Sequence, residues 1–285
     1  QVQANGVGGG MELASSIFYG YGSSGAGRQL VAHEMAHQYF GDSVTEGDWD
    51  DVWLSEGFAT YFALLYQEFA DGHDAFVEGV RRSKTQAISY ALNNPNSTIV
   101  HNNLADISKV IANNAQIYQG GAQVLQNVRG VVGTQTFWEG IRAYYLRYMN
   151  GTARTDDFRH AMEEACKKAG DRCPAAGSDL SWLFSELLNR GGALQVTGTW
   201  SYDASLKQIQ ITLDQTQTAG VYRMPIEVRA TTPGANATAP GNRTTRIVEL
   251  TQAHQTFTLL SDAEPTTVEL DPDAWVFGKL TLTRR

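Results

Sequence analysis

The hydrophobic period of this chain changes once, near residue 193, and the change limits what it can fold into. Upstream, apolar residues recur at helical spacing. Phe58, Phe62, Leu65 and Phe69 stand at i, i+4, i+7 and i+11, a stripe that belongs to a core. Asp71-Gly72 ends that helix. Further helical patterns run from Asp74 to about Leu92, over 113–130, 134–149 and 156–169, and from Asp179 to Asn189. Thr155-Asp156-Asp157 is a capping signal, and Gly191-Gly192 closes the last helix. Downstream the period is two: Ile209, Ile211 and Leu213, then Tyr222, Met224, Ile226 and Val228, then Phe257 and Leu259. Six or seven short strands over about 90 residues predict a small β-sandwich. Pro225 lies inside one of these runs and marks an edge strand, because proline brings no N–H to a second neighbour. The 285 residues read as two domains of an α+β protein, 1–193 mostly helical and 194–285 a sandwich.

Residues 1–10 are small and glycine-rich, Met11–Tyr19 reads as a strand, and Gly20–Gly27 is a loop. The next helix carries His33-Glu34-Met35-Ala36-His37. Residues four apart on a helix share a face, so His33 and His37 can offer two imidazole nitrogens to one metal ion. Glu34 lies beside them, toward the open coordination position. After eighteen residues comes Glu56, in Trp53-Leu54-Ser55-Glu56-Gly57-Phe58-Ala59, with Ser55 as the expected N-cap of a second helix. Two histidines, one glutamate and a fourth place left to water make a catalytic site for one zinc ion, not a closed structural one. Glu34 cannot easily reach an ion held by its own flanking histidines. Its expected work is general base toward the water, then acid toward the departing amine. A zinc peptidase is the chemistry these residues suit.

Composition excludes other classes. The net charge of −8, with no basic stripe, argues against nucleic-acid partners. No apolar run approaches the roughly 18 residues of a membrane span. The chain opens at Gln1 with neither an initiator Met nor a leader, as expected of a processed protein or a fragment. Cys166 and Cys173 flank the end of a predicted helix. A short-loop disulfide between them would suggest an oxidising compartment, secreted or periplasmic; the alternative is two free thiols in a reducing cell. His73, His101, His160 and His254 have no spacing that ties them to the metal.

Gly9-Gly10-Met11-Glu12, His33-Glu34-Met35-Ala36-His37-Gln38-Tyr39-Phe40-Gly41-Asp42 and the Glu56 segment together resemble the alanyl-aminopeptidase family of gluzincins, which includes leukotriene hydrolase. The resemblance implies a thermolysin-like catalytic domain, and peptides as substrates. It implies that Glu12 binds the free α-amine, that the Gly9-Gly10 backbone lies along the peptide, and that Met11 borders the first side-chain pocket. Ile117-Tyr118-Gln119-Gly120 resembles the segment that bears the family's catalytic tyrosine, so Tyr118 is expected to donate to the developing oxyanion. Thr155-Asp156-Asp157-Phe158 and Trp182-Leu183-Phe184 are similar to later catalytic-domain helices. Thr199-Trp200-Ser201-Tyr202-Asp203 and Asp271-Pro272-Asp273 are similar to the sandwich.

Four departures from the family pattern stand out. Leu13 replaces an Asn, which loosens the positioning of the substrate backbone, and Gln119 replaces the usual Lys beside the tyrosine. Ala63 stands where many members have a Glu that supports the metal-bound histidines, so a weaker hold on zinc is expected. Only eight residues precede Gly9, where the family has a β-rich domain and several catalytic-sheet strands. An open-cleft endopeptidase, epoxide hydrolysis, and a non-catalytic zinc-binding fragment are the alternatives to an aminopeptidase. The sequence does not give an oligomeric state.

Overall fold

Backbone contacts divide the computed structural model into two units, Gln1–Gly191 and Gly192–Arg285. The described residues are 1–6, 8–20, 27–100, 113–174, 179–234 and 241–285. Among them, no helix is long and apolar enough to cross a membrane.

The first unit opens with a three-stranded sheet in the order β1-β3-β2, formed by β1 (Val2–Ala4), β2 (Gly10–Leu13) and β3 (Ser16–Gly20). The single strand expected over Met11–Tyr19 is instead an antiparallel hairpin, with Leu13 opposite Ser16 and Ser15 at φ 65°. A tertiary contact explains the turn. The Gln38 side chain accepts from the Ser15 N–H at 2.9 Å and donates to the Leu13 carbonyl at 3.3 Å.

The helices follow: α1 (Arg28–His37), α2 (Trp53–Asp71) and α3 (His73–Asn93). After them come α4 (Gly121–Val132), α5 (Thr134–Tyr148), α6 (Thr155–Ala169) and α7 (Ser181–Leu188). A short parallel pair, β4 (Val44–Glu46) with β5 (Gly151–Ala153), links the segment after α1 to the segment after α5. The helices close around stacked aromatic rings. Phe58 sits 4.5 Å from Phe40, 5.1 Å from Phe158 and 5.9 Å from Tyr144, and Trp53 beside it is fully buried. Burying each such side chain contributes roughly 1.5–3 kcal/mol. The expected Phe58–Phe69 stripe is core only at its inner end; Phe58 is fully buried and Phe69 is 88% exposed.

Ser55 does not cap α2. A 3₁₀ turn, Trp49–Asp51, runs straight into the helix two residues ahead of it. Asp51 is taken up by Thr155, whose hydroxyl and N–H donate to it at 2.6 and 3.1 Å. The helix expected over 113–130 is also interrupted. Asn114–Gly120 is π-helical and passes into α4 without a gap. At that junction Gly57 of α2 and Gly121 touch backbone to backbone: a β-carbon on Gly57 would stand 2.8 Å from the Gly121 Cα. Only glycine permits that approach.

The second unit holds seven strands among the described residues. They are β6 (Leu194–Asp203), β7 (Gln208–Gln215), β8 (Met224–Thr232), β9 (Asn242–Leu250), β10 (His254–Leu260), β11 (Thr267–Leu270) and β12 (Gly278–Arg284). They form a four-stranded sheet, β10-β7-β6-β12, and a three-stranded one, β11-β8-β9. Ile209, Ile211 and Leu213 of β7 and Met224, Ile226 and Val228 of β8 are buried, as a half-buried pleat requires. Pro225 is in the middle strand of its sheet, against expectation. It is tolerated because β11 pairs only with Val228–Thr231, so at Pro225 the strand has β9 alone beside it.

Candidate metal centre and active site

Helix α1 brings His33 and His37 to one face, and α2 sets Glu56 opposite them. The two Nε2 atoms are 3.1 Å apart, and the Glu56 Oε2 lies 3.4 Å from His33 Nε2 and 3.2 Å from His37 Nε2. Ligands about 2.0–2.2 Å from a tetrahedral ion stand about 3.4 Å from one another, so this near-equilateral triangle fits three donors to one ion. Glu56 Oε2 is buried and faces the two imidazole nitrogens, which suits a metal ligand.

The far sides of both imidazoles are occupied. His37 Nδ1 donates to the Phe40 carbonyl at 3.2 Å and lies 3.1 Å from the Ser55 hydroxyl. His33 Nδ1 is 3.5 Å from the Thr60 hydroxyl. A proton held at Nδ1 leaves the Nε2 lone pair free for a metal. Gly41, at φ 120°, makes room for this arrangement; a β-carbon there would stand 2.6 Å from the Ser55 hydroxyl. The sequence gives no sign of Thr60 or the Phe40 carbonyl, and it presents Ser55 as a cap and not as a support for His37. Ala63, in the place where the family's supporting Glu was expected, is buried and apolar, and Thr60 is the residue of α2 that meets the Nδ1 side of His33.

Glu34 is 4% exposed, and its Oε2 has no hydrogen-bond partner. Its carboxylate lies against Gly10, where a β-carbon would collide with it. Burial raises its pKa to about 7, with the Glu12 and Glu56 charges adding to the rise and His37 opposing it. Burial also works against a charged His37, but the hydrogen bond and charge of Glu56 outweigh it and raise the pKa to about 9. Burial disfavours the Glu56 carboxylate as well, yet the two histidines hold its pKa down at about 2.

The remaining expected residues meet here. The Glu12 carboxylate comes within 4.8 Å of ligating atoms of Glu34 and His37. Its strand is held over α1 by the Gln38 contacts, and Gln38 in turn donates to Asp42 at 2.7 Å. Gly9, whose carbonyl accepts from Gly20 at 3.0 Å, closes the base of the hairpin. Met11 and Leu13 are exposed on either side of Glu12. The π-helical turn sets the Tyr118 ring parallel to His33, with centroids 5.9 Å apart at 8°. Burial, then the charge and hydrogen bonding of Glu56, hold the Tyr118 hydroxyl well above the ordinary phenol range, so it stays a donor. Gln119 joins Gly10, Met11, Glu12 and Tyr118 in lining a cavity of about 890 Å³ in front of the histidines.

The other histidines are on the surface. His73 pairs with Glu68 at 3.0 Å, His254 with Asp214 at 2.6 Å, and His160 lies 3.0 Å from Arg159. His101 is outside the described residues. Cys166 and Cys173 are disulfide-bonded.

Known proteins share this arrangement of chain. Over 139 residues the chain is 34% identical to aminopeptidase N of Streptomyces lividans, covering 47% of this chain and 16% of that one. Over 204 residues it is 28% identical to the probable aminopeptidase 1 of Sulfurisphaera tokodaii, covering 69% of this chain and 24% of the relative. It therefore spans a quarter or less of the length of these relatives. Its fold resembles the crystal structure of Legionella pneumophila aminopeptidase A in complex with aspartic acid, with a TM-score of 0.68 and 17% identity over 89% of this chain and 26% of that one. The model of the peptidase family M1 domain matches residues 23–186, a stretch that holds both histidines, Glu34, Glu56 and Tyr118. The chain belongs to peptidase family M1.

Proposed function

We propose that this chain is the catalytic portion of a zinc-dependent aminopeptidase, which removes residues from the N-terminus of peptides. The observation that carries the reading is the triangle of donor atoms on His33, His37 and Glu56 beside the unpartnered Oε2 of Glu34. Those three residues would hold one zinc ion. When bound, zinc supplies Lewis-acid polarisation of the scissile carbonyl and makes water acidic enough to attack at neutral pH.

The chain's own groups do the rest. Glu12 holds the substrate's cationic amine, which fixes the cut one residue from the end. The Gly9-Gly10 backbone lies along the peptide, and Met11 borders the first side chain. Glu34 takes the proton of the attacking water at its carboxylate and hands it to the departing nitrogen. Its pKa of about 7 in the metal-free protein falls when a cation binds beside it, so it is a competent base at neutral pH. Tyr118 donates its hydroxyl hydrogen to the developing oxyanion, a contact that strengthens as charge builds. The Cys166–Cys173 bond supports an oxidising compartment, secreted or periplasmic.

Replacing Glu34 with Gln tests the mechanism. The Glu34→Gln protein is expected to keep zinc, measured by metal analysis, and to lose peptide hydrolysis. A variant that binds zinc and still turns over would remove Glu34 from the proton path.

A further inference from the structure

The cavity holds one carboxylate that the mechanism does not use. Glu46, the last residue of β4, lines it together with Glu12, Glu34 and Glu56. Those three are committed: Glu56 to the histidines, Glu34 to proton transfer, Glu12 to the amine. Among the described residues no cation pairs with Glu46, and the hydrogen bond acting on its carboxyl comes from its own backbone. The only Lys or Arg lining the cavity, among the described residues, is Arg82, which is exposed and lies 3.6 Å from Glu78. Glu46 is half-buried, and drawing a carboxylate partly out of water with no counter-charge carries a cost that an arriving cation recovers.

Its neighbours suit a long basic side chain. Trp49 and Val52, three and six residues on, line the same cavity, and Trp49 is 46% exposed although it sits beside a buried core. An indole face and an isopropyl group can cover an aliphatic stem, and the indole also attracts the cation at its end. Glu34 Oε2, buried and unpartnered, faces the same space, so the anionic lining is open to a ligand and not closed on itself. Glu46 shares the cavity lining with Glu12, and the charges of Glu56, His37 and Glu12 all reach it.

We infer that Glu46 selects a lysine or arginine side chain on the substrate residue that carries the free amine, with Trp49 and Val52 covering its stem. The inference rests on the aminopeptidase reading for its substrate geometry. Two measurements separate their fates. In the first, the zinc-loaded protein and its Glu46→Gln and Glu46→Lys variants hydrolyse arginyl, lysyl, leucyl and glutamyl amides. The arginine-to-leucine ratio of kcat/KM is expected to fall at least about tenfold in Glu46→Gln, the scale of losing a charge-assisted hydrogen bond. In Glu46→Lys it should fall further while the glutamyl amide gains.

In the second measurement, calorimetry follows argininamide and leucinamide binding to the metal-free proteins. The wild type should favour argininamide at least about tenfold, and Glu46→Gln should erase that preference. Thermal melting of each variant controls for folding. Ratios that do not move with residue 46 overturn the inference while leaving the aminopeptidase reading intact. No hydrolysis of any amide, with Glu46-dependent binding retained, overturns the aminopeptidase reading and leaves the basic pocket standing.

Discussion

The carboxylate of Glu34 lies directly against the Cα of Gly10, with no space for a β-carbon between them. Strand β2, which presents Glu12, and helix α1, which presents the histidines, are thereby packed through the residue assigned to proton transfer. Gly10 is outside the left-handed region, so alanine there meets a problem of space alone. Gly10→Ala is expected to push Glu34 off its position and to lower kcat about 100-fold, the usual cost of a misplacement near 1 Å. Zinc content should stay unchanged. Wild-type kcat in this variant would mean that Glu34 need not be held where it is.

Tyr118 stacks on His33 and keeps its proton, which suits a donor and excludes a base. Tyr118→Phe removes the hydroxyl and leaves the ring stacked. Steady-state kinetics should show kcat reduced by about 10²–10³-fold, as for other lost oxyanion donors, with KM little altered. A change in KM alone would assign the hydroxyl to ground-state binding.

Ser55 and the Phe40 carbonyl share the Nδ1 side of His37. Ser55→Ala removes one support and leaves the other. Zinc affinity, measured by competition with a chelator, should weaken by about 10-fold, toward the low end for groups that orient metal-bound histidines. Equal affinity would show that the carbonyl alone fixes the ring.

The Cys166–Cys173 bond ties the last turn of α6 to the segment that follows it, across a sequence separation of 7. By chain entropy a loop that short is worth about 2–3 kcal/mol. The double variant Cys166→Ser/Cys173→Ser should lose about that much in urea unfolding and keep its zinc site, since neither cysteine lines the cavity. A loss of zinc in the folded variant would contradict this separation.

What the sequence disclosed follows from how local each interaction is. The pairing of His33 with His37 needs only one turn of helix, and Ile209, Ile211 and Leu213 need only a pleat; spacing gives both. Contacts made across elements left no such trace. Ser55 looked like a cap because serine before a helical run usually is one, yet the preceding 3₁₀ turn had already started the helix. Nothing near Ser15 announced a turn, because the residue that holds it, Gln38, stands just past the end of α1. The π-helical turn at Tyr118 depends on Gln116, which donates to the Thr98 carbonyl and accepts from Ser97, eighteen and nineteen residues away. Pro225 misled because the edge rule concerns a position in a ladder, and β11 stops short of it. Glu46 drew no notice at all, since a lone glutamate in a polar segment looks like a solvated charge until the cavity is seen.

The central claim is that Glu12 measures the cut from a free amine. Two peptides of one sequence, one with a free N-terminus and one acetylated, are incubated with the zinc-loaded protein and with a chelated control, and the products are read by mass spectrometry. The account predicts stepwise loss of residues from the free peptide only, abolished by the chelator. Internal cleavage of both peptides would contradict it and make this chain an endopeptidase.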